Sequence, residues 1–258
     1  TPVRSLDLRP SMPRGAGLPM PLLTTPAGNQ ISYELCGEGR PLVFLHGWGM
    51  SGRVWRDQGE AFRSRWRVIR PDLRGHGRSP PAAMSRAMED LAADLESLVE
   101  FLNLEELVVV GWSLGAQVAL RAYPRLARRV RGVVLVAGTP RFTATEDFPH
   151  AVSAAAARAM HHRLRRDHAG TLQWFFRAMF VPGELSEGQC RSLAREVLSP
   201  IPGKETLEAA LSALEDEDLR DVLPGIDCPV LLVHGTADAI CLPEASRYMA
   251  ERLPQARL

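Results

Sequence analysis

The strongest chemical feature of the chain is a serine between two glycines, in the motif Gly111-Trp112-Ser113-Leu114-Gly115. The motif follows the apolar run LVVV, which is typical of a buried strand, and precedes AQVALRAY, which is typical of a helix. In this context the pattern predicts a tight strand-to-helix turn that lifts the serine hydroxyl above the sheet edge as a nucleophile. The alternative is a serine that only caps the helix.

A second motif, His46-Gly47-Trp48-Gly49, follows the apolar run PLVFL. A nucleophile that attacks a carbonyl requires N–H donors for the oxyanion that develops, and backbone amides supply them already in position. We predict that the backbone N–H groups of Trp48 and Leu114 form this oxyanion hole. As an alternative, Trp48 is a packing aromatic, although this would leave its flanking glycines unexplained.

A serine nucleophile also needs a base, which a carboxylate orients. Asp238 lies in a Gly-containing loop directly after the strand-like run PVLLV, so we predict that it is the acid. Asp227 precedes the same run and would lie at the wrong end of the sheet. The alternative for Asp238 is a loop residue that bonds only its own backbone.

The elements that must position these residues are short apolar runs bounded by Gly or Pro, and helical stretches between them. PLVFL, WRVIRP, LVVVG, VRGVVLVAG and CPVLLVHG are typical of strands buried on both faces. Their alternation with helices predicts an α/β fold with a doubly wound, mostly parallel sheet. The runs PLLTT and QISYELC, which precede PLVFL in the sequence, predict two further strands.

The alternation of strands and helices stops after residue 139 and resumes near residue 224. With a leader before the first strand, the chain divides into four parts. We expect a disordered leader over residues 1–20 and the first part of the core over 21–139. Residues 140–223 contain four consecutive helical stretches separated by prolines, and we predict that they form a lid inserted into the core. The second part of the core follows over 224–258.

Composition restricts the function classes. The 258 residues are 45% hydrophobic and 24% charged, as in ordinary globular proteins. A formal charge of +1 produces no overall field that would attract nucleic acid or an anionic membrane. The four cysteines lack metal-site or redox spacing, and no apolar run approaches the ~18 residues of a membrane span. We therefore expect a reduced, cytoplasmic monomer with no metal, nucleic-acid partner or membrane contact.

With a third motif, PDLRGHGRS at residues 71–79, the chain resembles the α/β-hydrolase superfamily from Pro21 onwards. The resemblance implies that the loop of Asp72, Arg74 and His76 is structural, and that Asp238 occupies the position of the family's acid. It also implies the chain order serine, acid, histidine. All seven histidines precede Asp238, so we expect the chain to end inside its last strand, before the catalytic histidine. Should it hydrolyse esters nonetheless, His234 and His46 would be the first candidate bases.

Within the superfamily, the segments LHGWGMSGRVW, VVGWSLGAQVAL and CPVLLVHGTADAICLP resemble the BioH family of pimeloyl-acyl-carrier-protein methyl ester esterases. The resemblance implies hydrolysis of the pimeloyl-acyl-carrier-protein methyl ester in biotin synthesis, without a cofactor. It also implies that the lid segment of Phe175, Phe176, Arg177, Ala178 and Met179 lines the acyl channel.

The acidic carrier protein is the expected partner in this family. Arg191 and Arg195 lie four residues apart, on one face of a predicted helix, and we expect them to contact the carrier. A solvated helix face has the same pattern, just as a hydrophobic lid face would explain the aromatic residues. Two other functions stay open: a broad carboxylesterase or lactonase acting on small free esters, and a non-catalytic binding protein.

Overall fold

The computed structural model describes residues 21–258, so the predicted leader over 1–20 lies outside the described residues. The described chain forms an eight-stranded sheet in the order β1-β2-β4-β3-β5-β6-β7-β8. Strand β2 pairs antiparallel with both β1 and β4, and the remaining five pairs are parallel, which confirms the predicted α/β class with a mostly parallel sheet. The strands are β1 Leu22–Thr24, β2 Gln30–Cys36, β3 Arg40–Leu45, β4 Trp66–Pro71, β5 Leu107–Trp112, β6 Val130–Val136, β7 Val230–Val233 and β8 Ala256–Arg257.

Eight α-helices accompany the sheet in the described residues. They are α1 Arg56–Phe62, α2 Ala87–Phe101, α3 Leu114–Leu126, α4 Ala154–Arg166, α5 His168–Ala178, α6 Glu187–Val197, α7 Lys204–Asp216 and α8 Pro243–Ala250. Two 3-10 helices, Gly52–Trp55 and Arg220–Gly225, precede α1 and follow α7. None of these helices combines the length and hydropathy needed to cross a membrane.

Strands β3 and β5 are buried on both faces, as their uninterrupted apolar sequences predict. Val43, Leu45 and Val109 belong to the large core on one face, together with α2 and α3. Leu42 and Phe44 point to the opposite face, where the Phe44 ring lies 5.1 Å from that of Trp55. This central pair of strands carries both glycine-containing motifs at its carboxyl end.

Strand β7 departs from the prediction that every apolar run is buried on both faces. Leu231 and Val233 are 42% and 45% exposed, whereas Val230 and Leu232 are buried. The reason is that α1, on the side of the smaller core, packs against β4 and lies four strands away from β7. Apolar composition alone does not report which strand a helix covers.

Four helices, α4 to α7, lie between β6 and β7, where four helical stretches are predicted. Hydroxyl and carboxylate caps begin three of them: Ser153 for α4, Asp167 for α5, and Ser186, in a capping box with Gln189, for α6. Helix α7 packs against both α2 and α4, while α6 contacts the 3-10 helix before α1. These contacts join the four helices to the core. Their function as a lid, and the division at residues 140 and 223, stay predictions.

The loop after β4 is held by buried polar contacts. The Asp72 carboxylate accepts hydrogen bonds from the backbone N–H groups of Gly52 at 2.7 Å and Arg78 at 2.8 Å. Arg74 forms a buried two-pronged ion pair with Asp94 of α2, at 2.7 and 2.8 Å. These contacts fasten the carboxyl end of β4 to its neighbours, in agreement with the structural role that the family resemblance implies.

Candidate active site

The backbone at Ser113 adopts the tight turn that the motif predicts. Ser113 has φ +51° and ψ −110°, a conformation that L-residues rarely adopt and that concentrates at functional sites. A Cβ atom on Gly111 would lie 2.4 Å from the carbonyl oxygen of Gly115, and one on Gly115 would lie 2.5 Å from that of Leu45. Only glycine fits at both positions, which explains the Gly-x-Ser-x-Gly spacing.

The Ser113 hydroxyl does not cap helix α3. Its side chain accepts no hydrogen bond from the first turn of the helix, so the capping alternative is wrong. Its one polar side-chain contact in residues 21–258 is with Cys241, whose Sγ lies 3.9 Å from Ser113 Oγ. The hydroxyl is left free to face the adjoining cavity.

A cavity of about 110 Å³ adjoins Ser113 and contains most of the predicted chemistry. It brings Ser113 together with Asp238, Trp48, Phe175 and Met179, which lie far apart in the sequence. The complete lining is Gly47, Trp48, Trp112, Ser113, Ala137, Phe175, Met179, Asp238, Ile240 and Cys241. Nucleophile, acid and one predicted oxyanion donor therefore share one small cavity.

Trp48 is both a packing aromatic and a source of a free backbone donor. Its indole is buried, donates to the carbonyl oxygen of Leu207 at 2.9 Å and contacts the Phe175 ring edge-to-face at 5.0 Å. In the described part of the chain, neither the backbone N–H of Trp48 nor that of Leu114 has an acceptor. An oxyanion hole requires such unoccupied donors. Trp48 lines the Ser113 cavity, whereas Leu114 is buried and is not among the lining residues.

The carboxylate of Asp238 is held by its own loop through one oxygen only. Oδ1 accepts from the backbone N–H groups of Ile240 at 2.9 Å and Cys241 at 3.0 Å. Oδ2 lies 3.5 Å from Nε2 of His234. Burial alone would raise the pKa of Asp238. The His234 imidazole and the two N–H groups together outweigh burial, so the pKa of Asp238 lies below its ordinary value. An ionised carboxylate results, with one oxygen that the loop backbone does not occupy.

Asp227, the rejected acid, lies at the start of β7 and performs a different task. Its carboxylate accepts a hydrogen bond from the Tyr123 hydroxyl, and its backbone N–H donates back to the same oxygen at 3.2 Å. These contacts join the strand to helix α3. Asp227 does not line the Ser113 cavity.

No histidine within residues 21–258 hydrogen-bonds to Ser113. His46, a candidate base from sequence, has both ring nitrogens occupied: Nδ1 donates to the Gly47 carbonyl at 2.8 Å, and Nε2 accepts from the Leu73 N–H at 2.9 Å. Burial lowers the pKa of His46 to about 4. Its ring is therefore a neutral structural group and not a free base.

The buried rings of His46 and His76 predict acid-sensitive folding. The two ring centroids lie 5.2 Å apart. Burial is the larger cause and the neighbouring His46 the smaller cause that lower the pKa of His76 to about 3. Both histidines are neutral in either state well above pH 6.5. Below it the unfolded chain takes up protons that the folded chain does not bind, so we expect the free energy of unfolding to fall by about 2.4 kcal/mol between pH 6 and 5. Urea unfolding at pH 7, 6 and 5 measures this slope.

His76→Asn is the matched control for that slope. The Nδ1–H of His76 donates to the Arg74 carbonyl at 3.0 Å, a bond that an asparagine amide can reproduce without titrating. The variant should lose about half of the acid dependence, since one of two protons is removed. An unchanged slope would assign the acid sensitivity to other groups.

The predicted lid segment of residues 175–179 divides between surroundings, as helix geometry requires. Phe175 and Met179 line the Ser113 cavity, while Phe176 and Met179 line a neighbouring apolar cavity of about 360 Å³. The two cavities share Trp112 and Met179. Arg177 lines a third cavity, and Ala178 is exposed. Residues i, i+1 and i+4 of the helix face inward, and the two residues between them face outward. The complete lining of the apolar cavity is Met50, Val54, Trp55, Trp112, Val136, Phe176, Met179, Phe180, Leu193 and Val197.

Arg191 and Arg195 lie on helix α6, beside a cavity of about 430 Å³ that Arg177 also lines. Arg191 is 59% exposed, and its guanidinium lies 3.4 Å from the Glu187 carboxylate, one turn earlier. Such an exposed pair contributes little to stability, so Arg191 can exchange Glu187 for another anion at small cost. Three arginines around one concave surface make it a candidate anion-binding site.

The sequence reasoning missed Cys241. Its thiol is buried next to Ser113, and burial together with the negative charge of Asp238 raises its pKa to about 12, so it is a neutral thiol. The sequence feature that could have indicated its place in the site is its position three residues after Asp238. Within the described residues no group of three His, Cys, Asp or Glu side chains could hold a metal ion.

Comparisons with known proteins agree with this geometry. Residues 40–258 match the family described as alpha/beta hydrolase fold. The chain is 38% identical, over 232 residues, to the pimeloyl-[acyl-carrier protein] methyl ester esterase of Nitrosomonas europaea, with 88% of this chain and 89% of that protein covered. The protein of the same name from Nitrosospira multiformis is 34% identical, with 88% of each chain covered. The solved structure of the esterase EaEST from Exiguobacterium antarcticum superimposes with a TM-score of 0.86 at 27% identity, covering 92% of this chain and 88% of that one. The chain therefore belongs to the α/β-hydrolase family.

Proposed function

We propose that the protein is a serine carboxylesterase that hydrolyses the methyl ester of pimeloyl-acyl-carrier protein to the free acid and methanol. The observation that carries the ester chemistry is Ser113, held at positive φ beside a cavity that Asp238 and Trp48 also line. The substrate is inferred from relatives of this name, two of which are 38% and 34% identical to the chain. The activity is that of the relatives, and we extend it to this chain.

In the proposed reaction Ser113 Oγ gives its proton to the base and attacks the ester carbonyl, and the N–H groups of Trp48 and Leu114 bind the resulting oxyanion. Methoxide leaves with a proton from the base, and water then cleaves the acyl-serine and releases the acid. The ionised Asp238 orients that base. The nucleophile, the oxyanion donors and the acid are assigned here, but the base is not, because no histidine contacts Ser113 in residues 21–258.

The two larger cavities fit the remaining parts of such a substrate. The apolar cavity of about 360 Å³ shares Trp112 and Met179 with the Ser113 cavity, so a methylene chain bound beside the serine can continue into it. Each buried methylene group contributes about 0.8 kcal/mol. The cavity of Arg177, Arg191 and Arg195 offers guanidinium forks to a phosphate and to an acidic carrier protein.

A broad carboxylesterase acting on small free esters is the second candidate, and the similarity to the esterase EaEST favours it. The same Ser113 chemistry would serve both substrates, but only the carrier-bound ester needs the arginines of α6. A non-catalytic binding protein remains the third possibility, and it predicts no Ser113-dependent hydrolysis of either ester. A paired assay on pimeloyl-carrier methyl ester and a free short-chain methyl ester distinguishes all three.

Reversing charge on helix α6 tests the carrier contribution. We expect Arg191→Glu with Arg195→Glu to lower kcat/KM for the carrier-bound ester by about tenfold at low salt, because surface charges steer an acidic partner. The loss should shrink as salt screens the attraction. Turnover of the free ester should stay nearly unchanged.

Arg131→Glu provides a charge-reversal control for each of the two substitutions. Arg131 is 70% exposed and lies in β6, at the end of the sheet opposite the Ser113 turn. We expect this variant to turn over both esters normally, because its charge change occurs far from the lid. An equal loss on both substrates in the α6 variant would show that those arginines support the helix and do not dock the carrier.

A further inference from the structure

His234 directly follows β7 and is nearly enclosed, with a side chain only 2% exposed. Both ring nitrogens are engaged. Nε2 lies 2.6 Å from the carbonyl oxygen of Cys241, and Nδ1 lies 2.6 Å from the Ser246 hydroxyl on α8. A carbonyl oxygen can only accept, so Nε2 carries a hydrogen and donates it to Cys241. The ring therefore joins the end of β7 to the far end of the acid loop.

The acid loop, residues 235–241, is fastened at Cys241 from two sides. The Cys241 carbonyl accepts from His234, and the Cys241 N–H donates to Asp238 Oδ1 at 3.0 Å. The thiol of the same residue lies 3.9 Å from Ser113 Oγ. A displacement of Cys241 would therefore move one of the two backbone donors that hold the carboxylate, and would alter the wall next to the nucleophile.

We propose that His234 is a positioning residue, which holds the acid loop through the Cys241 carbonyl so that Asp238 keeps its place beside Ser113. This inference rests on the proposed role of Asp238 as the catalytic acid. His234 itself contacts neither Ser113 nor the reacting atoms, and it acts through the loop and through the Asp238 carboxylate. The sequence indicates His234 as a candidate base, whereas we propose a structural role for its ring.

The charges around the ring favour the same arrangement. Burial lowers the pKa of His234, but the Asp238 carboxylate, the Cys241 carbonyl and the more distant Glu244 outweigh it, and the pKa is raised. Asp238 Oδ2 lies 3.5 Å from Nε2, close enough for attraction although the hydrogen bond goes to Cys241. The attraction draws carboxylate and ring together across the loop.

Two substitutions of similar shape separate the contacts of the ring. The amide nitrogen of glutamine reaches the position of Nε2, so His234→Gln can keep the bond to the Cys241 carbonyl. Asparagine reaches only the position of Nδ1, so His234→Asn can keep the Ser246 contact but loses the bond to Cys241. Ser246→Ala removes the other contact alone. The proposal expects a loosened acid loop in His234→Asn and a native-like loop in the other two variants.

Alkylation of Cys241 by iodoacetamide, followed by peptide mass spectrometry, measures the loop without requiring turnover. Cys241 is 4% exposed, so its alkylation rate rises when the loop opens. Cys228 is 8% exposed, precedes β7 at the opposite end and serves as the internal control for global unfolding. We expect His234→Asn to raise the Cys241 rate relative to Cys228 by about tenfold, as loss of one buried hydrogen bond would. An unchanged ratio, or equal loosening in His234→Gln, would overturn the proposal.

Kinetics on a free methyl ester provide the second readout. We expect His234→Asn to lower kcat by about tenfold with little change in KM, and His234→Gln to restore kcat. A proportional rise in KM without loss of kcat would contradict a positioning role. Failure of the proposed function gives a different pattern, because hydrolysis would then be insensitive to Ser113→Ala while the alkylation ratio still reports on the loop.

Discussion

Replacing Ser113 with alanine is expected to lower ester hydrolysis by at least about 10³-fold, because it removes the hydroxyl that forms the acyl intermediate. Binding of the ester should survive, since the cavity walls and the N–H groups of Trp48 and Leu114 are untouched. Alanine also removes no hydrogen bond on which the fold depends, because the hydroxyl has only the weak contact with Cys241 at 3.9 Å. Turnover of a methyl ester and binding of a non-hydrolysable analogue, measured on the same preparation, check both parts.

Ser97→Ala is the control for that experiment. The Ser97 hydroxyl is exposed on α2 and donates to the Ala93 carbonyl at 2.9 Å, so its loss should leave turnover unchanged. Hydrolysis that persists in Ser113→Ala above a few per cent would reject the nucleophile. Loss of analogue binding along with turnover would instead mean that Ser113 supports the cavity.

The fold could be predicted because parallel strands covered on both faces need uninterrupted apolar residues. PLVFL and LVVV became β3 and β5, the two strands that carry both glycine motifs. The strict geometry of the Ser113 turn made its motif equally informative, since a side chain at Gly111 or Gly115 would collide with backbone. Local sequence therefore determines the elements and the nucleophile.

Other features depend on which elements meet in space, and local sequence does not report that. The exposed face of β7 follows from the distance between that strand and α1. The contact of Cys241 with Ser113 joins residues separated by 128 positions. The sequence predicts that the whole segment of residues 175–179 lines the channel, whereas only Phe175, Phe176 and Met179 of this segment line the two inner cavities.

Asp238→Asn is the other change with a large expected effect. Asparagine retains a carbonyl oxygen at the position of Oδ1, so the bonds from Ile240 and Cys241 can persist. The second oxygen becomes an NH₂ group, which cannot accept a proton from the base or stabilise its positive charge. We expect kcat to fall by at least about a hundredfold, as misorientation of the base does in other triads. Unchanged alkylation of Cys241 would verify that the loop is intact.

Asp227→Asn makes the same chemical change at the opposite end of β7 and supplies the contrast. Its carboxylate only joins β7 to α3 through Tyr123, so we expect a modest loss of stability and nearly normal kcat. The two substitutions make the same chemical change next to the same strand and differ only in the end of the strand at which the aspartate lies. Comparing them therefore separates the catalytic role from the structural role. If Asp227→Asn abolishes turnover and Asp238→Asn does not, the acid is assigned to the wrong end of the sheet. If neither does, Ser113 acts without an orienting carboxylate from this strand.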